Sequence, residues 1–271
     1  MEYGMDRSPA PAYLEKAFDL PELWDPERYK GLEADRARFT ITWIPNDTAS
    51  ILDLGCGNGV VTNLLVDQYP VVGIDLSHHA LGWVRAPRCQ GSAVALPFAQ
   101  KSFDTLISTE VLEHLPHDSF LAALAEIARV TQRYLLITVP WNENLELEQS
   151  ICPKCKARFN RNYHMRSFDR QTMQDLFKPW GFTLTKLEGI FPVGMPYFYR
   201  TWISFKRYIL RRGMAFPWRG ICPQCGYTTY QQGSTKPTTK PPIPKILQIM
   251  YPFVPKYPLP RWWIALYTRA S

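Results

Sequence analysis

The 271-residue chain has no acidic side chain after Glu188, only five histidines and only six cysteines. It also has no run of about 18 consecutive apolar residues, the length a membrane-crossing helix needs. A transmembrane helix is therefore not expected. The first twenty residues, MEYGMDRSPAPAYLEKAFDL, place acidic side chains where a signal peptide carries basic ones and contain no apolar stretch. The expectation is that no secretory leader is present. Six cysteines are too few for a disulfide scaffold in a chain of this length. No repeat of 20–50 residues is visible, which excludes solenoids and propellers. Hydrophobic residues make up 46% and charged residues 20%, a globular and not a disordered composition.

The charge is unevenly placed. Residues 189–271 hold 12 Lys/Arg and no Asp/Glu, while residues 1–188 hold 19 basic and 24 acidic side chains. The basic third also carries 17 of the 37 aromatics. An acidic front with a basic, aromatic back suggests a catalytic body with an attached binding surface.

Residues 1–48 read as a helical cap punctuated by Pro9, Pro11, Pro21, Pro26 and Pro45, with a surface helix within 26–43. Strand and helix signals then alternate. Strands are expected at 50–54, 71–75, 90–94, 103–109 and 133–139. Helices are expected at 58–69, 77–85 and 118–130, the second capped by Ser77 and the third burying Leu121, Leu124, Ile127 and Ala128. Continuous apolar strands between helices imply a parallel sheet covered on both faces, a doubly wound α/β fold. The alternation breaks after Pro140. Residues 141–168 read as one insert. A helix at 169–180 and a strand at 181–189 follow. Residues 191–260 read as a second insert with a basic helix at 199–212, and a last strand at 262–268 returns to the sheet. The body is thus 49–190 plus 261–271.

The sharpest local signal is Asp53-Leu-Gly-Cys-Gly-Asn-Gly59, between the first strand and first helix. Its glycines permit a tight turn and close approach of a ligand to backbone N–H groups. Val60 stands where a dinucleotide fingerprint needs its last glycine, and no Gly-Lys-Ser/Thr follows, so neither that fingerprint nor a P-loop is present. Asp75 ends the second strand, where a carboxylate can accept both ribose hydroxyls. The combination suits a nucleoside without a pyrophosphate.

At these residues the chain resembles the class I S-adenosylmethionine (SAM)-dependent methyltransferases. More narrowly it is similar to type 11, the small-molecule enzymes related to the ubiquinone pathway. The matching segments are ILDLGCGNG at 51–59, VVGIDLS at 71–77, GSAVALPFAQKSFDTLIS at 91–108 and EVLEHL at 110–115. The resemblance implies that Asp53, Gly55, Cys56 and Gly57 line the methionine part of SAM. It implies that Asp75 holds the ribose, that Leu76, Ser92 and Ala93 border the adenine, and that Thr109 closes the crevice. Many relatives carry Asp where this chain has Ser92, which shifts adenine recognition toward backbone.

Cys152-Pro-Lys-Cys155 and Cys222-Pro-Gln-Cys225 are two knuckles of the type that donates thiolates to zinc. Together they are expected to make a tetrahedral Cys₄ site that clamps the two inserts, with a redox C-x-x-C or unrelated free thiols as the alternatives. Four thiolates leave no open position, so the role is structural. A reducing, cytoplasmic location is the expectation, with a peripheral membrane placement left open.

Methyl transfer needs a positioned nucleophile whose proton is removed. Candidates sit beyond the carboxyl ends of the strands: Glu110, Glu113, His114 and His164. Three readings stand. His114 or His164 is a general base. Alternatively Glu110, Glu113 and His114 hold a divalent ion, with His164 or His117 as a fourth ligand, since Glu-x-x-Glu-His resembles the metal motif of certain ribose-methylating and quinone-pathway O-methyltransferases. Or EVLEHL only caps a helix and borders the cofactor. His78 and His79 read as surface residues. The acceptor expected is a small molecule or glycan, with an anionic or membrane-associated one favoured by the basic third. RNA or another phosphate-rich polymer is the alternative, and a SAM-binding scaffold without activity is a third. Oligomeric state is not legible.

Overall fold

The computed structural model describes residues 13–146, 148–196, 220–229 and 255–270. The expected basic helix at 199–212 and most of the proline-rich stretch lie outside these residues.

Seven strands form one sheet: β1 (Ile51–Leu54), β2 (Val71–Asp75), β3 (Arg88–Gln90), β4 (Phe103–Thr109), β5 (Thr131–Pro140), β8 (Phe182–Ile190) and β11 (Trp262–Arg269). Their order is β3-β2-β1-β4-β5-β11-β8. The first five run parallel. β11 runs antiparallel between β5 and β8. The last strand therefore closes a gap between two strands formed much earlier in the chain. Two antiparallel strand pairs lie outside the sheet. β6 (Gln149–Ile151) pairs with β7 (Arg158–Asn160), and β9 (Val193–Pro196) pairs with β10 (Lys256–Leu259).

Successive residues of the central strands feed opposite core layers. Leu52, Leu106, Leu135 and Ile137 join one apolar cluster, while Ile51, Ile107 and Leu136 join the other. That is why these strands read as continuous apolar runs: neither face meets water. One layer is covered by α5 (His117–Val130) and α6 (Arg170–Asp175). The other is covered by α2 (Leu32–Ile41), α3 (Thr62–Leu65) and α4 (His78–Leu81). α1 (Leu14–Phe18) packs with Tyr163 in a small third cluster.

Four local expectations are corrected. α3 spans one turn and not 58–69, because Gly57 and Gly59 hold positive φ and delay helix entry. The third strand is Arg88–Gln90 and not 90–94. Gly91 still bonds to Asp75, but residues 92–95 then turn back, with Ala95 N–H donating to Ser92 at 3.2 Å. The helix expected over 169–180 is α6 capped by Asp169, followed by a separate 3₁₀ turn at Lys178–Trp180. On α5, Leu121 is 49% exposed and Phe120 is fully buried in its place. Phe120, Ala123, Leu124, Ile127 and Ala128 form the buried stripe at helical spacing. The Ser77 cap is as read: its Oγ accepts the Ala80 N–H at 3.1 Å.

Candidate functional site

β1 ends in the glycine loop, and the loop shapes a crevice at the carboxyl ends of the strands. A side chain on Gly55 would come within 2.2 Å of Val111, so the 110–114 loop packs directly on the glycine loop. One on Gly57 would come within 2.7 Å of the Trp24 ring. Both glycines hold positive φ, and neither position admits a Cβ.

Two buried carboxylates line this crevice. Asp53 Oδ2 accepts the Thr62 hydroxyl at 2.5 Å, while its Oδ1 is buried without a partner among the described residues. Burial pushes the Asp53 carboxyl up to about 6 against the pull of the Thr62 hydrogen bond, and the Asp75 charge adds to the rise. Asp75 accepts the Gly57 N–H and the Ser77 N–H, each at 2.8 Å. Each of its oxygens keeps a second lone pair for a ligand hydroxyl. Burial raises the Asp75 carboxyl despite these bonds. Beside it, Leu76 is 39% exposed, an apolar side chain left at the crevice mouth. Gln90 Nε2 donates to the Leu76 carbonyl at 2.8 Å. Cys56 and Ala93 are buried below, Ser92 is half-buried, and Thr109 ends β4.

The second group of candidates gathers where the 110–115 and 160–166 segments meet. Met165 N–H donates to the Glu113 carbonyl at 2.7 Å, and Arg166 Nη2 donates to the Leu115 carbonyl. Glu113, His114 and His164 offer ligand atoms that all lie within 4.8 Å of one another. Glu113 is fully buried, and neither of its oxygens has a hydrogen-bond partner among the described residues. Burial, with the nearby Glu110 charge, holds its carboxyl well above the usual range. His114 is pushed down to about 3 by burial and by His164, so it is neutral. Its Nδ1 faces the Tyr163 carbonyl at 3.4 Å and its Nε2 faces Glu113 at 3.9 Å. His164 Nδ1 is bonded to the Glu143 carboxylate, which leaves Nε2 as the free nitrogen.

Glu110 takes a different place from the one expected. Its Oε2 accepts the Trp262 indole N–H at 2.7 Å, and Arg36 lies 3.7 Å from its Oε1. His164, read as a candidate fourth ligand, is in the trio, and Glu110 lies outside it. His117 opens α5 and is not in that trio. Glu110 and Tyr163 hold positive φ although neither is glycine, so backbone strain concentrates beside this cluster.

The four knuckle cysteines come together. Cys152 and Cys225 lie 3.7 Å apart, as do Cys155 and Cys222. A tetrahedral ion with Zn–S bonds of about 2.3 Å separates its sulfurs by about 3.8 Å, so the donor set fits zinc. Backbone N–H groups of Cys155 and Lys154 outweigh burial and bring the Cys152 thiol down to about 7.

The methyltransferase domain family model matches residues 22–187, which include the glycine loop, Asp75 and the 110–114 loop. The chain belongs to this family. It is a class I SAM-dependent methyltransferase. Among curated relatives, trans-aconitate 2-methyltransferase of Deinococcus radiodurans is 33% identical over 132 residues, 45% of this chain and 51% of that protein. The Streptomyces avermitilis enzyme of the same name is 30% identical over 112 residues, 34% of this chain and 42% of that protein. The matches thus span about half of these relatives or less. A SAM-dependent methyltransferase from Archaeoglobus fulgidus has the same fold, with TM-score 0.52, 14% identity and coverage of 95% of this chain and 98% of that one. So does a chain of the complex between a Haloferax volcanii methyltransferase and its Trm112 activator, with TM-score 0.52, 16% identity and coverage of 93% and 99%.

Several site residues of the methyltransferase carry no sequence signal of their own. Arg36 was expected on a surface helix, yet its side chain is only 12% exposed, and it stacks on Trp262. Burial opposes its charge, but Glu110 and Glu33 outweigh that and raise its pKa. Glu143 lies just beyond β5, but only its pairing with His164, 21 residues on, marks it out. Trp24 sits far from the motifs in sequence, and only the fold brings it onto Gly57.

Proposed function

We propose that this methyltransferase methylates a hydroxyl oxygen of a small-molecule or glycan acceptor held over His114 and His164. The carrying observation is the Glu143–His164 pair, packed next to the loop that abuts Gly55. SAM, when bound, supplies an electrophilic methyl group on a sulfonium. Asp53 and Asp75 suit it: one offers an orphaned, buried acceptor to a cationic ligand, the other free lone pairs to ribose hydroxyls. Gly55, Cys56 and Gly57 line the methionine part, Leu76, Ser92 and Ala93 the adenine, and Thr109 the floor between cofactor and acceptor. His164 Nε2 takes the acceptor proton, while Glu143 fixes the tautomer and stabilises the imidazolium that forms. His114, neutral and 4.8 Å from His164 between ring centroids, uses its one N–H toward the Tyr163 carbonyl and packs beside the base as part of the acceptor wall. Cys152, Cys155, Cys222 and Cys225 hold a structural zinc. The name of the curated relatives, which act on trans-aconitate, favours a small acceptor, while RNA remains the comparison substrate.

A second reading is favoured by the two unpartnered, buried oxygens of Glu113. A divalent ion between Glu113, His114 and His164 would neutralise them and lower the pKa of a bound acceptor hydroxyl. In that case Glu110 stays outside the ligand set, held by Trp262 and Arg36.

The test is release of S-adenosylhomocysteine with a panel of hydroxylated small molecules and glycans, beside RNA. Turnover with a small acceptor is expected, and turnover with RNA alone refutes the reading. His164→Ala should lower turnover at least about 100-fold with unchanged S-adenosylhomocysteine affinity. Turnover that scales with added divalent ion and disappears in chelator selects the second reading.

A further inference from the structure

The residues between Tyr13 and Tyr29 precede every recognised motif, yet they touch each functional part of the molecule. At one end, Tyr13 N–H donates to the Pro223 carbonyl inside the second cysteine knuckle at 3.0 Å. A side chain on Gly226, the residue after Cys225, would come within 2.8 Å of the Tyr13 ring. In the middle, Phe18 packs edge-on against His114 at 5.0 Å. Asp19 accepts the Ser77 hydroxyl at 2.8 Å, two residues from Asp75. At the far end, Trp24 lies on Gly57. Its indole N–H donates to the Phe18 carbonyl at 2.7 Å, and its own carbonyl accepts from Asn58 at 3.2 Å. Its ring stacks on Tyr29 at an interplanar angle of 4°.

We infer that this segment is a strap across the cofactor crevice, that Trp24 forms part of the SAM-binding wall, and that the Cys₄ knuckle is the strap's anchor. The inference rests on the SAM and zinc assignments made above. Its physical basis lies at the knuckle end of the segment, whereas Asp19 and Trp24 are tied separately to Ser77, His79 and Asn58. α1 is five residues long and buries only Leu14 and Ala17, too little to hold itself down. Its small cluster is completed by Tyr163, Phe159 and Ile221, all contributed by the segments that carry the knuckles. Tyr163 hydroxyl in turn donates to the Ile221 carbonyl at 3.0 Å, tying the two segments together beside the strap. Where the cysteines part, the surface under α1 parts with them. The strap then keeps its ties at Asp19 and Trp24 but loses its end support, and its hold on the glycine loop loosens. The ion would therefore set cofactor affinity without touching the cofactor.

The experiment measures S-adenosylhomocysteine affinity by calorimetry and zinc content by elemental analysis on the full chain. Cys155→Ser and Trp24→Ala should each weaken binding about tenfold or more. The double variant should be no worse than the weaker single one, because both act on one strap. Tyr13→Ala should lose affinity while keeping its zinc, and Trp24→Phe should restore most of the binding lost in Trp24→Ala. Circular dichroism matching the wild type shows that the sheet is intact. Wild-type affinity in Cys155→Ser with zinc absent would overturn the inference, as would losses that multiply in the double variant. A wild-type chain that binds no S-adenosylhomocysteine would instead remove the cofactor assignment. One that binds it but holds no zinc would remove only the anchor.

Discussion

Asp53 and Asp75 are both buried carboxylates, but the structure treats them differently. Asp75 accepts a backbone donor on each oxygen and can accept more, whereas Asp53 has one oxygen with no donor among the described residues. The Asp53 pKa is raised to about 6, so the folded state favours its protonated form. Its contribution to stability is full below the unfolded value of about 4 and is lost as pH rises through about 6. A cationic ligand reverses the preference. Binding of SAM at pH near 6 should therefore release a proton, and affinity should fall as pH drops below about 6. Calorimetry in buffers of differing ionisation enthalpy reads this directly, and an observed heat that does not change with the buffer would show no proton release. Asp75→Ala should weaken cofactor binding about 10-fold to 100-fold, since hydrogen bonds to a charged acceptor contribute roughly 1.5–3 kcal/mol. Unchanged binding by calorimetry would place the ribose elsewhere. The aspartates, the glycines and the 110–114 loop were legible because local spacing carries their roles. Glu143 and Trp24 were not, since each acts through a partner about 20 or more residues away.

The elements show where periodicity suffices and where it fails. The strands β2 and β4 lie where their composition places them, because nearly every position is buried and few exposed ones blur their limits. α3 fails because loop geometry, not propensity, decides where a helix starts after left-handed glycines. Leu121 fails by one position: a stripe of apolar residues on α5 is offset by about 100° per residue, and Phe120 fills the core better. Leu124 is fully buried at the centre of that stripe. Leu124→Ala should cost about 2–5 kcal/mol, read as a lower denaturation midpoint at unchanged slope. Leu121→Ala, half exposed, should cost well under about 1 kcal/mol by the same measurement. Equal costs at the two positions would contradict the assigned face.

At the scale of the whole molecule, the two cysteine knuckles and β11 join parts of the chain far apart in sequence. Purified protein should contain about one zinc per chain, and chelation should lower its melting temperature, since binding to the native thiolates is coupled to folding. Elemental analysis showing no zinc in folded protein prepared without chelator would refute the Cys₄ centre. The basic, aromatic third ends inside the sheet, at β11, which lies between β5 and the edge strand β8. The sequence by itself determined the doubly wound fold, the glycine loop with its two aspartates, and the four thiolates. Those features depend on spacing along a few dozen residues, where backbone geometry leaves little freedom. Only the tertiary structure decided that His164 and not Glu110 joins Glu113 and His114, that Glu143 orients His164, and that Trp24 lies on Gly57. These are contacts between separate segments, fixed by how strands and loops pack and by which buried charges find partners.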